Sequence, residues 1–289
     1  MTQKSPKNTR TQLRAAAPAD RRRTRLIIAF ASIAVVVVAL VIAVVVNSGS
    51  TTTSAPATVP QTDVQSIVAE VSSIPAAVQD GVGIGAAKSL PKPVSGKAIS
   101  VDGKPEVLYV GAEYCPFCAA ERWPLMIALS RFGTFTGVGI THSSSTDVYP
   151  NTPTLAFHGS SYTSDYVAFT AVELASNQPD GSGGYKPLDV LSADQQATVA
   201  ELSPSGGIPF VDFGGRYVIS GATFDPGVLS GRDAATVAGS LASASSEIAQ
   251  GVLGAANTIT ATICQLTNNQ PTTVCDTPAI KAIASQLTG

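Results

Sequence analysis

The sequence predicts an α/β domain preceded by a single transmembrane helix. Three observations lead to this fold class. An uncharged apolar run covers residues 26–46. A buried strand, a helix and a second strand follow one another between residues 107 and 141. The chain beyond Asp233 is rich in Ala, Ser and Leu, which predicts a helical C-terminal extension.

Composition and charge limit the classes of protein to which the chain can belong. With 289 residues, 44% of them hydrophobic, the chain can bury a sizeable core. Residues 1–25 hold eight of the 18 Lys and Arg residues and one acid, Asp20. This leaves ten basic and 19 acidic residues, a net charge of −9, for the rest. Because phosphate contacts need clustered Lys and Arg, this acidic part argues against nucleic-acid binding.

Residues 26–46 predict a transmembrane helix. They form 21 consecutive residues without a charge, a proline or a glycine, which is enough to span a bilayer. The basic tail at residues 1–25 precedes them, so the positive-inside rule places the N-terminus in the cytoplasm and the domain outside it. A cleaved signal peptide with its small-residue site at residues 54–57 is the alternative. Its apolar core is usually about 7–15 residues long, so we favour the uncleaved anchor.

Residues 47–62 predict a flexible linker, because their Ser, Thr, Ala and Pro side chains cannot bury apolar surface. The predicted domain therefore covers residues 63–289. Its first helix begins near Thr62 and Asp63, either of which can cap it, and ends before Pro75. Residues 81–103 are rich in glycine and proline and predict a loop with at most one short strand.

An apolar strand followed by a helix is the strongest local pattern of the domain. Residues 107–111 read VLYVG, as expected of a strand buried on both faces, and residues 116–131 repeat apolar side chains at helical spacing. Residues 137–141 are the predicted second strand of a strand–helix–strand unit, which forms parallel sheets. The other predicted elements are strands at residues 154–158, 166–174, 209–213 and 216–220, a Gly-rich loop at 178–185 and a helix at 192–202. Gly214-Gly215 joins the last two strands and predicts a hairpin turn.

Cys115 and Cys118 lie where the buried strand gives way to the helix. A thiol at a helix N-terminus faces unpaired backbone N–H groups and the positive end of the helix dipole, which stabilise its thiolate. Cys115 is therefore the predicted attacking sulfur, and Cys118, one turn later, can resolve a mixed disulfide. Pro116 fixes the first turn, while Phe117 offers an apolar surface beside the sulfur. A static structural disulfide is the alternative, which the strand-to-helix junction disfavours.

Cys264 and Cys275 lack that context. In an oxidising compartment pairing is the default for cysteines, so we predict that these two form a structural disulfide. Closing a short loop contributes about 2–3 kcal/mol to stability. The alternative is a second redox relay that exchanges electrons with Cys115 and Cys118.

The chain contains the ligand types of a zinc site in Cys115, Cys118 and its two histidines, His142 and His158. The histidines lie apart in the sequence and lack the paired spacing of metal ligands, so we predict no metal site. We expect both in loop or structural positions. The polar residues 141–154 contain no nucleophile elbow and predict a loop near the cysteines.

Residues 206–222, GGIPFVDFGGRYVISGA, resemble the cis-proline loop and the following hairpin of thioredoxins and glutaredoxins. Since a strand–helix–strand unit precedes this segment and a helix follows it, the domain is similar to the thioredoxin fold, with insertions and a helical C-terminal extension. In that family the residue before the proline pairs its backbone with the substrate opposite the cysteines. The resemblance therefore implies that Ile208 and Pro209 line the substrate site with Pro116 and Phe117.

The N-terminal anchor and the segments GAEYCPFCAAERW, THSSSTDVYPNTPT and GGIPFVDFGGRYVISGA together resemble the thioredoxin-like membrane family called domain of unknown function 929. The resemblance covers the chain from about Val64 onward. Thioredoxins place a buried acid six residues before the first cysteine, where this chain has Tyr109. Glu113 and Glu121 are the candidate proton acceptors for Cys118 by proximity. A solvated surface position is the competing interpretation for both.

These features predict a membrane-anchored oxidoreductase that transfers disulfides to or from exported proteins through Cys115 and Cys118. Its expected partners are exported thiol or disulfide proteins, a membrane redox partner and the lipid bilayer around residues 26–46, with no nucleic acid. No bound cofactor is needed. The competing hypothesis is a non-catalytic module that keeps the thioredoxin fold as a scaffold and binds a partner at the cell surface.

Overall fold

The computed structural model describes residues 61–287. The predicted tail at residues 1–25, the predicted transmembrane helix at 26–46 and nearly all of the predicted linker at 47–62 lie outside the described residues. Within residues 61–287, none of the helices combines the length and the apolar character needed to cross a membrane. The described residues form a mixed α/β structure with a six-stranded sheet and three two-stranded sheets.

The predicted helices and several predicted strands are present in the predicted order, but the strands at residues 133–136, 161–164, 175–179 and 185–187 have no predicted counterpart, and the last two overlap the ends of the loop predicted at 178–185. The helices are α1 Gln61–Ser72, α2 Ala76–Val82, α3 Pro116–Ser130, α4 Ala193–Leu202, α5 Ala234–Ser240, α6 Glu247–Leu266, α7 Thr272–Cys275 and α8 Pro278–Leu287, with a 3-10 helix at Pro226–Leu229. The strands are β1 Lys92–Pro93, β2 Ser100–Val101, β3 Lys104–Gly111, β4 Gly133–Thr136, β5 Gly139–His142, β6 Pro153–Ala156, β7 Ser161–Ser164, β8 Ala168–Glu173, β9 Ala175–Pro179, β10 Tyr185–Pro187, β11 Phe210–Phe213 and β12 Tyr217–Ser220. Residues 81–103 thus contain two short strands, where the sequence predicts at most one.

The central sheet is built around β3, which contains the strand predicted at residues 107–111. β3 pairs in parallel with β8 and antiparallel with β11. β11 pairs antiparallel with β12, whose other neighbour is β1, and β2 pairs with the start of β3. Every residue of β3 from Glu106 onward is buried. The prediction of a strand buried on both faces is therefore confirmed.

The second strand of the strand–helix–strand unit differs from the predicted one. Residues 137–141 overlap β5, which pairs antiparallel with β6, and β4 pairs antiparallel with β7. These two strand pairs form an insertion between α3 and β8, and β8 is the parallel partner of β3. The apolar pattern of residues 137–141 indicates a strand but not its partner, because strand pairing depends on packing against distant segments.

The turn between β11 and β12 is the Gly214-Gly215 turn predicted from the sequence. Both glycines have positive φ angles, 60° and 70°, in the left-handed region that glycine adopts without steric cost. A Cβ atom on Gly215 would also collide with the carbonyl oxygen of Lys97. Only glycine therefore fits the second position of this turn.

The two faces of the central sheet are covered differently. Helices α3 and α6 pack together in the principal core, to which β3 contributes Val107 and Tyr109. Since side chains alternate along a strand, Leu108 and Val110 point to the other face and form a smaller cluster. Val199 of α4 packs against this second cluster, although no residue of α4 is fully buried.

The C-terminal helices are tied together by a disulfide between Cys264 of α6 and Cys275 of α7. The helical region is interrupted between α6 and α7, where Asn268 and Asn269 have positive φ angles. Cys264 is 0% exposed and Cys275 is 3% exposed. Both belong to the principal core, so another protein's thiol cannot reach the disulfide unless the core opens. This burial disfavours the relay alternative.

Replacing Cys264 and Cys275 together with alanine is expected to lower the free energy of unfolding by about 2–3 kcal/mol, because the crosslink restricts the unfolded chain. Urea unfolding followed by circular dichroism measures the difference. The matched control replaces Cys115 and Cys118 with alanine and is compared with wild type whose Cys115–Cys118 pair is reduced, so it removes two buried sulfurs without removing a crosslink. Equal losses in the two double variants would contradict a stabilising role for the disulfide.

Candidate functional site

Cys115 is the N-cap residue of α3. β3 ends at Gly111, and the chain turns so that the N–H of Cys115 donates to the carbonyl oxygen of Ala112 at 3.2 Å. The Cys115 backbone is extended, and its Sγ accepts a hydrogen bond from the N–H of Cys118 at 3.3 Å. Pro116 is the first helical residue, where a missing N–H costs nothing. A sulfur therefore occupies the position in which a side-chain oxygen usually caps a helix.

The two thiols of the site differ in acidity. Both cysteines are unbonded; Cys115 is 5% exposed and Cys118 is 0% exposed. A hydrogen bond from the Cys118 side chain lowers the pKa of Cys115, with help from the backbone N–H groups of Cys118 and Phe117. Burial, together with the neighbouring Cys115, raises the pKa of Cys118 well above its usual value. This contrast makes Cys115 the stronger nucleophile near neutral pH.

The loop before β11 faces the cysteines. The Ile208–Pro209 peptide bond is cis, and the Cys115 Sγ lies 3.9 Å from the carbonyl oxygen of Ile208. Pro209 is buried, whereas Ile208 is partly exposed. On the helix side, Phe117 is 38% exposed. The structure thus brings the two cysteines together with the residues expected to line a substrate site.

Glu121 is fully buried, so its interpretation as a solvated surface residue is wrong. Its Oε2 atom accepts hydrogen bonds from the backbone N–H and the hydroxyl of Thr223, both at 2.8 Å. Its Oε1 atom has no hydrogen-bond partner among residues 61–287. Burial raises the pKa of Glu121 to about 8. These hydrogen bonds direct the carboxyl group to the loop after β12 rather than to Cys118.

Glu113, the other candidate proton acceptor, is partly exposed at the end of the β3–α3 connection. Burial raises its pKa, and the nearby Arg122 opposes that effect. Its backbone N–H donates to the carbonyl oxygen of Ala175 at 2.9 Å, which fixes the connection to β9. The Glu113 carboxyl group forms no hydrogen bond with Cys118 in the described part of the chain.

A buried ion pair that the sequence pattern does not predict lies beneath the cysteine helix. Arg122 donates two hydrogen bonds to the carboxylate of Glu173, at 2.6 and 2.7 Å, and both side chains are 0% exposed. The guanidinium carbon lies 5.8 Å from the centre of the Tyr109 ring. Arg122 follows Cys118 by four residues on a predicted helix, which indicates a shared face. Nothing local indicates Glu173 as its partner.

The insertion packs beside the cysteines, as predicted for the polar residues 141–154. The N–H of Ser144 donates to the carbonyl oxygen of Tyr114 at 2.8 Å, next to Cys115. The rings of Phe117 and Tyr149 meet edge to face, with centroids 6.1 Å apart. The insertion therefore forms one wall of the site.

The two histidines do not join the cysteines. His142 Nδ1 lies 2.8 Å from the carbonyl oxygen of Ser143, and His158 Nδ1 lies 2.9 Å from the Asp189 carboxylate. Among residues 61–287, no group of three or more His, Cys, Asp or Glu side chains is placed to hold a metal ion. The four-ligand set considered from the sequence is not assembled.

Glu121→Gln is expected to be more stable than the wild type, by a difference in unfolding free energy that grows as the pH rises from 5 to 8. The folded state raises the pKa of Glu121 to about 8. Between the unfolded and folded pKa values the unfolded chain therefore binds fewer protons, and wild-type stability falls as the pH rises. Glutamine stays neutral and can accept the same hydrogen bonds, so its advantage should reach roughly 2–4 kcal/mol at pH 8. Urea unfolding at several pH values measures it.

The matched control for this prediction is Glu201→Gln, which alters an exposed glutamate of α4. Its unfolding free energy should follow that of the wild type at every pH. A Glu121→Gln advantage that is the same at pH 5 and pH 8 would contradict the buried, protonated state of Glu121.

Part of this chain matches a model of a protein family. No curated protein and no solved structure matches the chain. The matched segment is narrower than the resemblance inferred from the sequence motifs, which begins near Val64. It covers Cys115, Cys118 and the whole insertion, and it ends before Ile208. Residues 91–205 of this chain match the family described as Domain of unknown function (DUF929).

Proposed function

We propose that this protein is a thiol-disulfide oxidoreductase whose redox pair is Cys115 and Cys118. One observation carries the proposal: Cys115 caps α3 with a lowered pKa, beside a buried second thiol. A stabilised thiolate with a resolving thiol one turn away is the arrangement that disulfide exchange requires. The carbonyl oxygen of Ile208, 3.9 Å from the sulfur, supplies a backbone acceptor beside the reacting atom.

The proposal includes a thioredoxin-like fold. The strand that leads to the cysteines pairs in parallel with β8 and antiparallel with β11, and the loop before β11 contains the cis Ile208–Pro209 bond. The hairpin of β11 and β12 and a further helical region follow. This order supports the resemblance that the sequence motifs indicate, with β4 to β7 as an insertion.

The reaction proceeds in two exchange steps. The Cys115 thiolate attacks one sulfur of a substrate disulfide, which forms a Cys115–substrate disulfide and releases the other substrate sulfur as a thiolate. Cys118 then loses its proton and attacks the Cys115 Sγ. The Cys115–Cys118 bond forms, and the substrate leaves with both sulfurs reduced. Two electrons pass from the protein to the substrate, and the reverse sequence oxidises a substrate dithiol.

The proton of Cys118 must leave during the second step. Within residues 61–287 the Glu121 carboxyl group forms no hydrogen bond with a cysteine, and its Oε2 atom accepts two hydrogen bonds from Thr223. Glu113 is partly exposed and has a raised pKa, so it can exchange a proton with solvent. Because neither carboxyl group bonds to Cys118, transfer to either one requires an intervening water molecule.

The surface around Cys115 fits an extended polypeptide with an apolar side chain near its cysteine. Phe117 is 38% exposed and packs against Tyr149, and Val148 beside it is 52% exposed. Ile208, whose carbonyl oxygen lies 3.9 Å from the Cys115 Sγ, is partly exposed as well. The substrates are therefore thiol or disulfide proteins whose reactive segment is unfolded or mobile.

We place this activity outside the cytoplasm, on a membrane anchor formed by residues 26–46. The Cys264–Cys275 disulfide supports this location, since disulfides persist in oxidising compartments and are rare in the cytosol. The eight basic residues before the apolar run also support this location, because the positive-inside rule keeps them in the cytoplasm and the domain outside it. Exported proteins and a membrane redox partner are the matching partners.

A non-catalytic binding module is the second candidate function. One observation favours it: only 5% of Cys115 is exposed, so the residues around Cys115 must move before a substrate disulfide can reach its sulfur. In this case the cysteines stabilise the start of α3, and the surface around Phe117 binds a partner without exchange. The trapping experiment below separates the two functions.

Cys118→Ser is expected to trap substrates, because it leaves the attacking Cys115 thiol and removes the resolving one. Cells that produce the full-length variant should accumulate covalent adducts, visible as high-mass bands on a non-reducing gel that disappear with dithiothreitol. Mass spectrometry of the adducts should identify Cys115 as the linked residue.

Cys115→Ser is the matched control, since it retains the buried Cys118 and should form at least about tenfold fewer adducts. Equal amounts of adduct with the two variants would contradict the assigned roles. The absence of adducts with both would favour the binding module.

A further inference from the structure

The buried ion pair of Arg122 and Glu173 lies at the cysteine end of the central sheet. Glu173 is the last residue of β8 and stands opposite Gly111, the last residue of β3. Arg122 lies on α3, one turn after Cys118, on the side of the helix that meets these strand ends. The pair therefore joins the start of the cysteine helix to the strand that leads into it.

Gly111 leaves the space that Tyr109 occupies next to this pair. A Cβ atom on Gly111 would collide with the hydroxyl of Tyr109, so this ring extends along β3 toward the connection that carries the cysteines. Among residues 61–287 its hydroxyl has no hydrogen-bond partner. Burial raises the pKa of Tyr109 well above its usual value, and Arg122 opposes this effect. An uncharged ring therefore fills the position between the ion pair and the end of the strand.

The Arg122 charge is not screened by water. Its side chain is 0% exposed, and within the described part of the chain its Nη1 atom has no hydrogen-bond partner. Charges interact more strongly in such a low-dielectric interior than at the surface. The Cys118 hydrogen bond is the main cause of the lowered pKa of Cys115, and burial is the main cause of the raised pKa of Cys118; the guanidinium, one turn from Cys118, acts toward a lower pKa at both sulfurs. Glu173 holds the guanidinium by two hydrogen bonds and carries the opposite charge.

We propose that Arg122 and Glu173 are positioning residues that set the reduction potential of the Cys115–Cys118 pair. Arg122 favours the reduced form, in which Cys115 carries a negative charge, and Glu173 offsets part of this effect while holding the guanidinium in place. The inference rests on the proposed redox function, which it extends from the two sulfurs to the charges beneath them.

The equilibrium with glutathione gives the direction of each effect. Two glutathione thiols reduce the Cys115–Cys118 disulfide and yield one glutathione disulfide and two reduced cysteines. One of these is Cys115, whose lowered pKa favours loss of its proton to solvent. A cation near the sulfurs stabilises this product, whereas an anion destabilises it. Removing Arg122 and removing the charge of Glu173 should therefore shift the equilibrium in opposite directions.

The test measures the ratio of reduced to oxidised Cys115–Cys118 in full-length protein in detergent, equilibrated with glutathione buffers. Arg122→Met should lower this ratio about tenfold, equivalent to about 30 mV for two electrons. Glu173→Gln should raise it severalfold, because Arg122 is then left without its counter-charge. Opposite shifts are the distinguishing result, since a purely structural pair would lose stability in both variants without such a sign change.

Two further variants keep the test decisive if a single variant does not fold. The double variant Arg122→Met/Glu173→Met replaces a buried pair with apolar side chains, which proteins often tolerate. Its ratio of reduced to oxidised protein should fall severalfold, because Arg122 lies one turn from Cys118 and its effect on the sulfurs is larger than that of Glu173. Arg122→Lys keeps the charge and should stay within about threefold of the wild type. A wild-type ratio in the double variant, or shifts in the same direction for both single variants, would overturn the inference.

Arg131→Met is the matched control at the other end of α3. Arg131 donates to Thr260 and Asn257 rather than to a residue near the cysteines. It should change stability but leave the glutathione ratio within about twofold of the wild type. If wild-type Cys115–Cys118 does not exchange with glutathione at all, both the redox function and this inference fail. If it exchanges but Arg122→Met leaves the ratio unchanged, only the inference fails.

Discussion

The junction between β3 and α3 is the constraint on which the site depends, because it delivers a thiol to the unpaired N–H groups at the start of a buried helix. β3 is held on both sides, by β8 and by β11. In α3, every residue except Phe117 and Ser130 is buried. Neither element can move independently of its neighbours. The loop that contains Ile208 leads directly into β11, so the strand pairing that forms the sheet also sets the distance between this loop and Cys115.

Burying the whole of α3 requires partners for its polar side chains. Residues 121–123 are consecutive and fully buried, and their partners come from three segments of the chain: Thr223, Glu173 and Pro153. The helix is thus fixed from the loop after β12, from the end of β8 and from the insertion. A buried polar group without a partner costs about 1–3 kcal/mol, so these contacts favour one position of the helix. Precise placement of Cys115 follows from polar contacts as well as from apolar packing.

Local chemistry in the sequence predicts the strand before the cysteines, the cysteine helix, the glycine turn at residues 214–215 and the pairing of Cys264 with Cys275. Each of these depends on residues close together in the chain or on a single residue type. The parallel partner of β3 was assigned to the wrong segment, because four short strands intervene before β8. The burial of Glu121 and the pairing of Arg122 with Glu173 were also missed. Both depend on contacts between residues 51 or more positions apart, for which the sequence holds no local signal.

A redox titration with separate readout of the two cysteine pairs tests the central claim most directly. Full-length protein is equilibrated in glutathione buffers of graded potential, quenched by acid and alkylated, and each cysteine is quantified by mass spectrometry. The account predicts that Cys115 and Cys118 become reduced together in a single two-electron transition, while Cys264 and Cys275 remain bonded throughout. A Cys115–Cys118 pair that never changes state, or one that changes only together with Cys264 and Cys275, would contradict it.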